Sequence, residues 1–226
     1  MTFPLMPQPS IFPVGPIRSI TREATANSGT GSITVPSIVK SGDLVVICTV
    51  AYDTGTAMPA LVTPAGYSIV IDQQFGGWGA RLVVAARIVR SSAEAGDVLS
   101  VTSGSSATGS ILQVFRARVP IKSATPRNFD SNISNGDPGP STAAAAGVTI
   151  PALAFAIIGV DGAITPTFQT LSPAATFQAS RNNVNVGTRF EAPALGAVPG
   201  TPTAQSVDCD DNGTSNFTAA FFLEVR

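Results

Sequence analysis

The chain has 226 residues, of which 44% are hydrophobic and only 12% charged, and it carries 21 glycines and 18 prolines. This is a globular composition with heavy turn punctuation, as many short strands require, and its length suits one large β domain or two small ones. A net charge of −1 and the absence of histidine exclude broad attraction to nucleic acid or anionic membrane, and remove the commonest general base and metal ligand.

Residues 1–31 read as an extended, Pro-rich N-terminal arm. Pro4, Pro7, Pro9, Pro13 and Pro16 favour irregular extended chain and interrupt any secretory signal. The interleaved Phe3, Leu5, Ile11, Phe12 and Ile17 give that arm apolar contacts to make, on its own domain or on a neighbouring subunit. Residues 33–35 form a short strand ended by Pro36. The chain is then organised around residues 42–52, GDLVVICTVAY. After its Gly-Asp turn this run has no charge and no breaker, and it is rich in β-branched residues. Both of its alternating faces are apolar, so it is expected to be a core strand covered on both sides.

Further strands are expected at residues 67–74 and 80–89, joined by GGWG, then at 98–102 and 110–116. Residues 91–96 can make one helical turn at most. Residues 118–147 look loop-rich, either a linker between domains or a long crossover within one. Beyond them, residues 153–160 resemble the buried strand, and Val148-Thr149-Ile150-Pro151 echoes Ile33-Thr34-Val35-Pro36. Residues 176–179 and 184–192 are expected to pair, and 204–209 with 216–225 to make a terminal hairpin. The second half shows no clear counterpart of residues 80–89. The expected fold is all-β, an antiparallel β-sandwich of jelly-roll type. A single sandwich over residues 32–226, both halves feeding each sheet, buries more apolar surface than two thin domains. Residues 33–117 and 148–226 are candidates for an internal pseudo-repeat within it, the alternative being that a β-sandwich simply reuses similar strands. The longest apolar run, residues 147–160, is broken by Pro151 and too short to span a bilayer as a helix.

Candidate chemistry is sparse. Two cysteines, Cys48 and Cys209, are too few for a disulfide framework or a Cys-rich metal site, and Cys48 reads as a small buried hydrophobe. Asp208, Asp210 and Asn212 open a calcium-loop pattern, but Ala219 stands where the bidentate glutamate belongs, and Asn-Gly is also a strong hairpin signal. They are a weak cation candidate, and no metal is expected. Trp78, the only tryptophan, is a candidate glycan or interface contact between glycines. Glu94 with Asp97, and Asp130 with Asp137, are loop carboxylates that could serve glycoside hydrolysis only at a fixed separation. There is no G-x-S-x-G elbow and no phosphate loop. Asn132, Asn212 and Asn216 head N-x-S/T sequons. No catalytic residue, no cofactor and no enzymatic activity is expected.

One ordered set of motifs stands out: Gly42-Asp43-Leu44, then Thr63-Pro64-Ala65-Gly66-Tyr67, then ARLVVAARIV, GDVLSVTS and SILQVFRA. This order resembles the jelly-roll-like β-sandwich domains of tailed-bacteriophage proteins, both head decoration (cement) proteins and tail-fibre or receptor-binding proteins. The resemblance covers residues 33–117 well and the second half loosely. It departs at Tyr67, where tryptophan is frequent, and at Ala117, where glycine is frequent. What it implies is a non-enzymatic virion component made in the host cytoplasm and located on the capsid surface or tail. Its partners would be the major capsid protein or other virion proteins and its own copies, as a homo-oligomer such as a trimer, with neither nucleic acid nor membrane. The leading expectation is a capsid decoration protein that grips the shell exterior through its arm. The alternative is a tail module that recognises host surface glycan.

Overall fold

The computed structural model describes residues 17, 19–29, 32–52, 64–75, 77, 79–100, 107–134, 138–161, 168–172, 176–181, 184–191, 204–209 and 214–226. Over these the chain is an all-β antiparallel sandwich, and no α-helix occurs among the described residues. The first half supplies β1 (Ile20–Ser28), β2 (Ser32–Thr34), β3 (Leu44–Tyr52), β4 (Ser68–Phe75), β5 (Ala80–Ile88), β6 (Val98–Ser100) and β7 (Ala107–Ala117). The second half supplies β8 (Ala124–Ser134), β9 (Ser141–Ala143), β10 (Ala152–Asp161), β11 (Phe168–Ser172), β12 (Thr176–Arg181), β13 (Val184–Glu191), β14 (Gln205–Cys209) and β15 (Thr214–Val225). Between β5 and β6 a single 3-10 turn, Ser92–Glu94, is capped by the Ser91 hydroxyl, which accepts from the Ala93 N–H at 3.1 Å.

Two five-stranded sheets form the centre, in the orders β1-β7-β3-β5-β4 and β8-β15-β10-β13-β12. Their facing sides share one core, with Leu44, Val46, Phe115 and Leu82 on one side and Leu153, Phe155, Val186 and Phe221 on the other. The Phe155 and Phe221 rings stack at 4.8 Å, and Phe115 from the other sheet meets Phe155 edge-on at 6.0 Å. The outer faces are covered too. The β2–β6 ribbon closes Val45, Ile47, Leu112 and Val114 beneath Ile33 and Val35. The β11-β14-β9 sheet brings Ala143 and Val207 onto Ala154, Ala156, Ile158 and Phe222. All nine residues of β3 are buried, because the chain supplies a layer for each of its apolar faces. The polar Thr49 on it is satisfied by the Ser110 hydroxyl at 3.1 Å.

The two halves repeat one plan. β8, β15, β10, β13 and β12 take the places of β1, β7, β3, β5 and β4, and β9 with β14 stands in for β2 with β6. Register agrees: Leu44 pairs with Phe115 and Ile88 as Leu153 pairs with Leu223 and Phe190. The bulge at Ile69/Ile71 recurs at Phe177/Ala179. Pro16-Ile17-Arg18-Ser19 before β1 matches Pro120-Ile121-Lys122-Ser123 before β8, and Ile17 and Ile121 are both buried in the shared core.

Several expectations are corrected. Among the described residues no sheet mixes strands from the two halves. Each half instead builds its own twisted sheet and buries it against the other, which satisfies the need for a covered face equally well. The arm is shorter than 1–31, because Ile20–Ser28 is a strand paired along β7. Residues 118–147 are more than a linker or crossover: beside their loops they hold β8, an edge strand whose mixed polarity and Pro126 disguise it. Residues 148–151 are not a strand; the place of β2 is taken by Ser141–Ala143, so the echo with residues 33–36 is misleading. β13 is the counterpart of β5. The terminal hairpin is absent, since β14 pairs with β9 and β11 while β15 pairs with β8 and β10. The chain crosses there from an outer layer to an inner one, just as it crosses from β6 to β7.

Candidate functional site

The end of the first sheet where β3 begins gathers most of the motif residues. Gly42 has φ +89°, a conformation that favours glycine, and a Cβ there would lie 2.8 Å from the Pro120 side chain. Its N–H donates to the Val89 carbonyl at 2.9 Å, and its carbonyl accepts from the Ile121 N–H at 3.1 Å. This one residue therefore joins the heads of both halves. Asp43 is 2% exposed, and a buried carboxylate requires partners. Arg116 supplies them as a two-pronged clamp, Nε to Oδ1 at 2.8 Å and Nη2 to Oδ2 at 2.6 Å. The Lys40 N–H donates to the same carboxylate at 2.8 Å. The remaining Arg116 donors reach Glu23 on β1 at 2.8 Å and the Ile38 carbonyl at 2.8 Å. The hydrogen bonds to Asp43 hold the Arg116 guanidinium above its ordinary pKa, so it is charged at every usable pH.

A cleft of about 520 Å³ opens beside this end, lined by Leu44, Gly66, Ser68, Val70, Ala86, Arg87, Ile88, Arg90, Lys122, Ser123 and Ala124. Its walls are β4 and β5 of one sheet and the chain leading into β8 of the other. Arg87 is fixed: its guanidinium pairs with Glu94 at 3.0 Å, donates to the Ala65 carbonyl at 3.1 Å and lies 5.8 Å from the centre of the Tyr67 ring. Gly66, at φ +80°, permits this approach, since a Cβ there would sit 2.5 Å from Arg87 Nη1. Burial pushes the Tyr67 phenol pKa up, against the opposing pull of Arg87, so the ring is neutral. Arg90 and Lys122 are exposed, and among the described residues their side chains make no ion pair.

Among the described residues, those proposed from sequence are not gathered at one site. Phe3, Leu5, Ile11, Phe12, Trp78, Asp210 and Asn212 lie outside the described residues. Ile17, expected as an arm contact, is 5% exposed and packed into the protein's own core, so a neighbour cannot use it. Asp208 is on β14, and no cluster of three metal-ligating side chains occurs among the described residues. Glu94 accepts from Arg87 and the Arg90 N–H, while Asp130 accepts from the Thr142 N–H at 2.6 Å; both are occupied structurally. Asp137 lies outside the described residues. Asn216 is fully buried, and Asn132 donates to the Pro140 carbonyl. Cys48 is a free thiol buried between the inner sheets, with its pKa pushed up by burial. The backbone of Cys209 runs in the outer layer beyond the second sheet. Sequence reasoning did not single out Arg87, Arg90 and Lys122; the repeated Pro-Ile-basic-Ser segment was the available signal for the last of these.

No protein-family model matches the chain, and neither the curated proteins nor the solved structures contain a match to it.

Proposed function

We propose that the chain is a structural, non-enzymatic component of a tailed-bacteriophage virion, and within that class a capsid decoration protein. One observation carries the reading. The residues whose order resembles phage sandwich domains act as fasteners: Gly42 and Asp43 are tied to Val89 and Arg116, and Gly66 and Tyr67 to Arg87. A motif set used to lock strand ends together is what a scaffold module needs. The jelly-roll part of the reading draws support from the order β1-β7-β3-β5 in one layer against β2-β6 in the next. Two further ion pairs, Arg81–Asp72 and Arg189–Glu191, also lie within the body.

In this reading residues 1–16, with Phe3, Leu5, Ile11 and Phe12, hold a capsid protein or a sister subunit. Many weak arms then act together through avidity across a repeating shell. A homo-oligomer such as a trimer would present its arms in one direction. The test is mass spectrometry of purified virions, followed by particle binding of a chain lacking residues 1–16. The reading expects the polypeptide in virions at high copy number and loss of particle binding on deletion. Its absence from virions would overturn the virion assignment, and unchanged binding would overturn the role of the arm. The second reading, a tail module that recognises host glycan, is favoured by the cationic cleft.

A further inference from the structure

We propose that the cleft between the β4–β5 edge and the head of β8 binds a compact anionic saccharide, a sugar unit carrying a carboxylate, sulfate or phosphate. The inference does not depend on whether the chain sits on a phage head, a phage tail or elsewhere. The chain as a whole is nearly neutral, at −1, yet three of its thirteen basic residues, Arg87, Arg90 and Lys122, line this one cleft. Arg87 is neutralised by Glu94 at 3.0 Å. Arg90 and Lys122 are exposed, and among the described residues their side chains make no ion pair. The neighbouring oxygens of Glu94 and Arg226 are taken up by the Arg90, Lys122 and Ser123 N–H groups, so an entering anion meets two cations without breaking a side-chain ion pair.

The remaining lining suits a sugar. Val70 and Ile88, both half-buried, offer an apolar wall for C–H faces, and Ser68 and Ser123 are exposed members of the same lining. A volume of about 520 Å³ falls within the ~300–1,000 Å³ of small-ligand sites. An extended acidic peptide is the competing occupant, and it would dock by adding a strand to the free edge of β4. The bulge between Ile69 and Ile71 breaks the ladder at Val70, inside the cleft. A bulged edge of this kind opposes strand addition. A compact ligand needs no such ladder.

The experiment is a calorimetric or NMR titration of the full chain with four probes: a sulfated uronic-acid disaccharide, a neutral disaccharide, inorganic sulfate and an Asp/Glu-rich peptide. The sulfated disaccharide should bind, more tightly than inorganic sulfate, and the neutral one should not. Arg90→Gln combined with Lys122→Gln changes two exposed side chains and should weaken that binding about tenfold or more. Arg118→Gln, an exposed residue outside the cleft, should leave it unchanged. Equal binding by the double variant and R118Q would overturn the site. Sulfate binding as tightly as the disaccharide would overturn the saccharide assignment, as would binding of the peptide alone or of no probe.

Discussion

At the closing end of the first half, Arg116 on β7 is the cation and Glu23 on β1 the anion. At the equivalent place in the second half, Glu224 on β15 is the anion and Arg127 on β8 the cation. The core shows the same kind of exchange. Val50 on β3 faces Gly109 on β7, whereas Gly159 on β10 faces Phe217 on β15, whose ring fills the space a Cβ at Gly159 would need. Large and small, or plus and minus, have traded strands while the pairing register stayed the same. Backbone register and the properties of each pair define this sheet, whereas the identity of either partner does not. The halves also differ in quality at one level: Phe155 stacks on Phe221, but Val46 lies opposite Gln113, a buried side chain whose amide nitrogen and oxygen have no hydrogen-bond partner among the described residues.

If the halves share one core, damage to either should unfold both. Phe155→Ala removes the ring that joins the stack in the second sheet to Phe115 in the first, and should cost about 4 kcal/mol. Urea denaturation should show one cooperative transition moved to lower midpoint, whether followed by far-UV circular dichroism or by aromatic signals. Two separate transitions would break the comparison, because each half would then be a domain with its own core.

The swapped ion pairs differ in environment, and that difference is testable. Arg116→Ala leaves Asp43 buried with its main partner gone, and should cost about 3 kcal/mol. Arg127 is half-exposed and stands 3.4 Å from Glu224, which is itself buried but keeps the Thr149 N–H at 2.7 Å, so Arg127→Ala should cost less, about 1 kcal/mol. Similar losses for the two variants in thermal unfolding would show that position in the repeat, rather than burial, sets the strength of the clamp.

What could be read from the residues follows from where the signal is local. β3 was legible because a run of uncharged, β-branched residues has few alternatives, and the pairs β4–β5 and β12–β13 because short turns separate them. β8 was not, since an edge strand need not be apolar and Pro126 argues against one. The terminal hairpin failed because Asn-Gly marks a reversal without saying which layer the chain reverses into. The repeat was sought in the short apolar echo at Val148, whereas its better marker is the Pro-Ile-basic-Ser segment, which lies just outside any strand. Arg90 and Lys122 are 32 positions apart. Only the packing of one half on the other brings them to one cleft.

Gln113 offers a way to sharpen the comparison by repair. Its equivalent, Phe221, is apolar, and an unsatisfied buried amide carries a desolvation cost that an apolar replacement removes. Gln113→Met keeps the length of the side chain and should raise stability by about 1 kcal/mol, seen as a higher urea midpoint. A loss of stability would mean that the amide has a function in the core that the neighbouring apolar residues do not show.

The smallest effect concerns Cys48, which occupies in the first half the place of Ile157 in the second. Burial raises its thiol pKa in the folded protein, while the unfolded chain ionises near the ordinary value of ~8.5. The folded state therefore keeps its full stability below pH ~8.5 and loses it as pH rises above that value, by up to about 1.4 kcal/mol per unit, because only the unfolded thiol can give up its proton. Cys48→Ala abolishes that term. Wild type should lose about 1 kcal/mol more than Cys48→Ala between pH 7.5 and pH 9.5, and peptide mapping after brief alkylation at pH 8 should find Cys48 unmodified in the native protein. Rapid labelling of Cys48 under native conditions would show that the two sheets open at its level, and would place the weakest part of the shared core there.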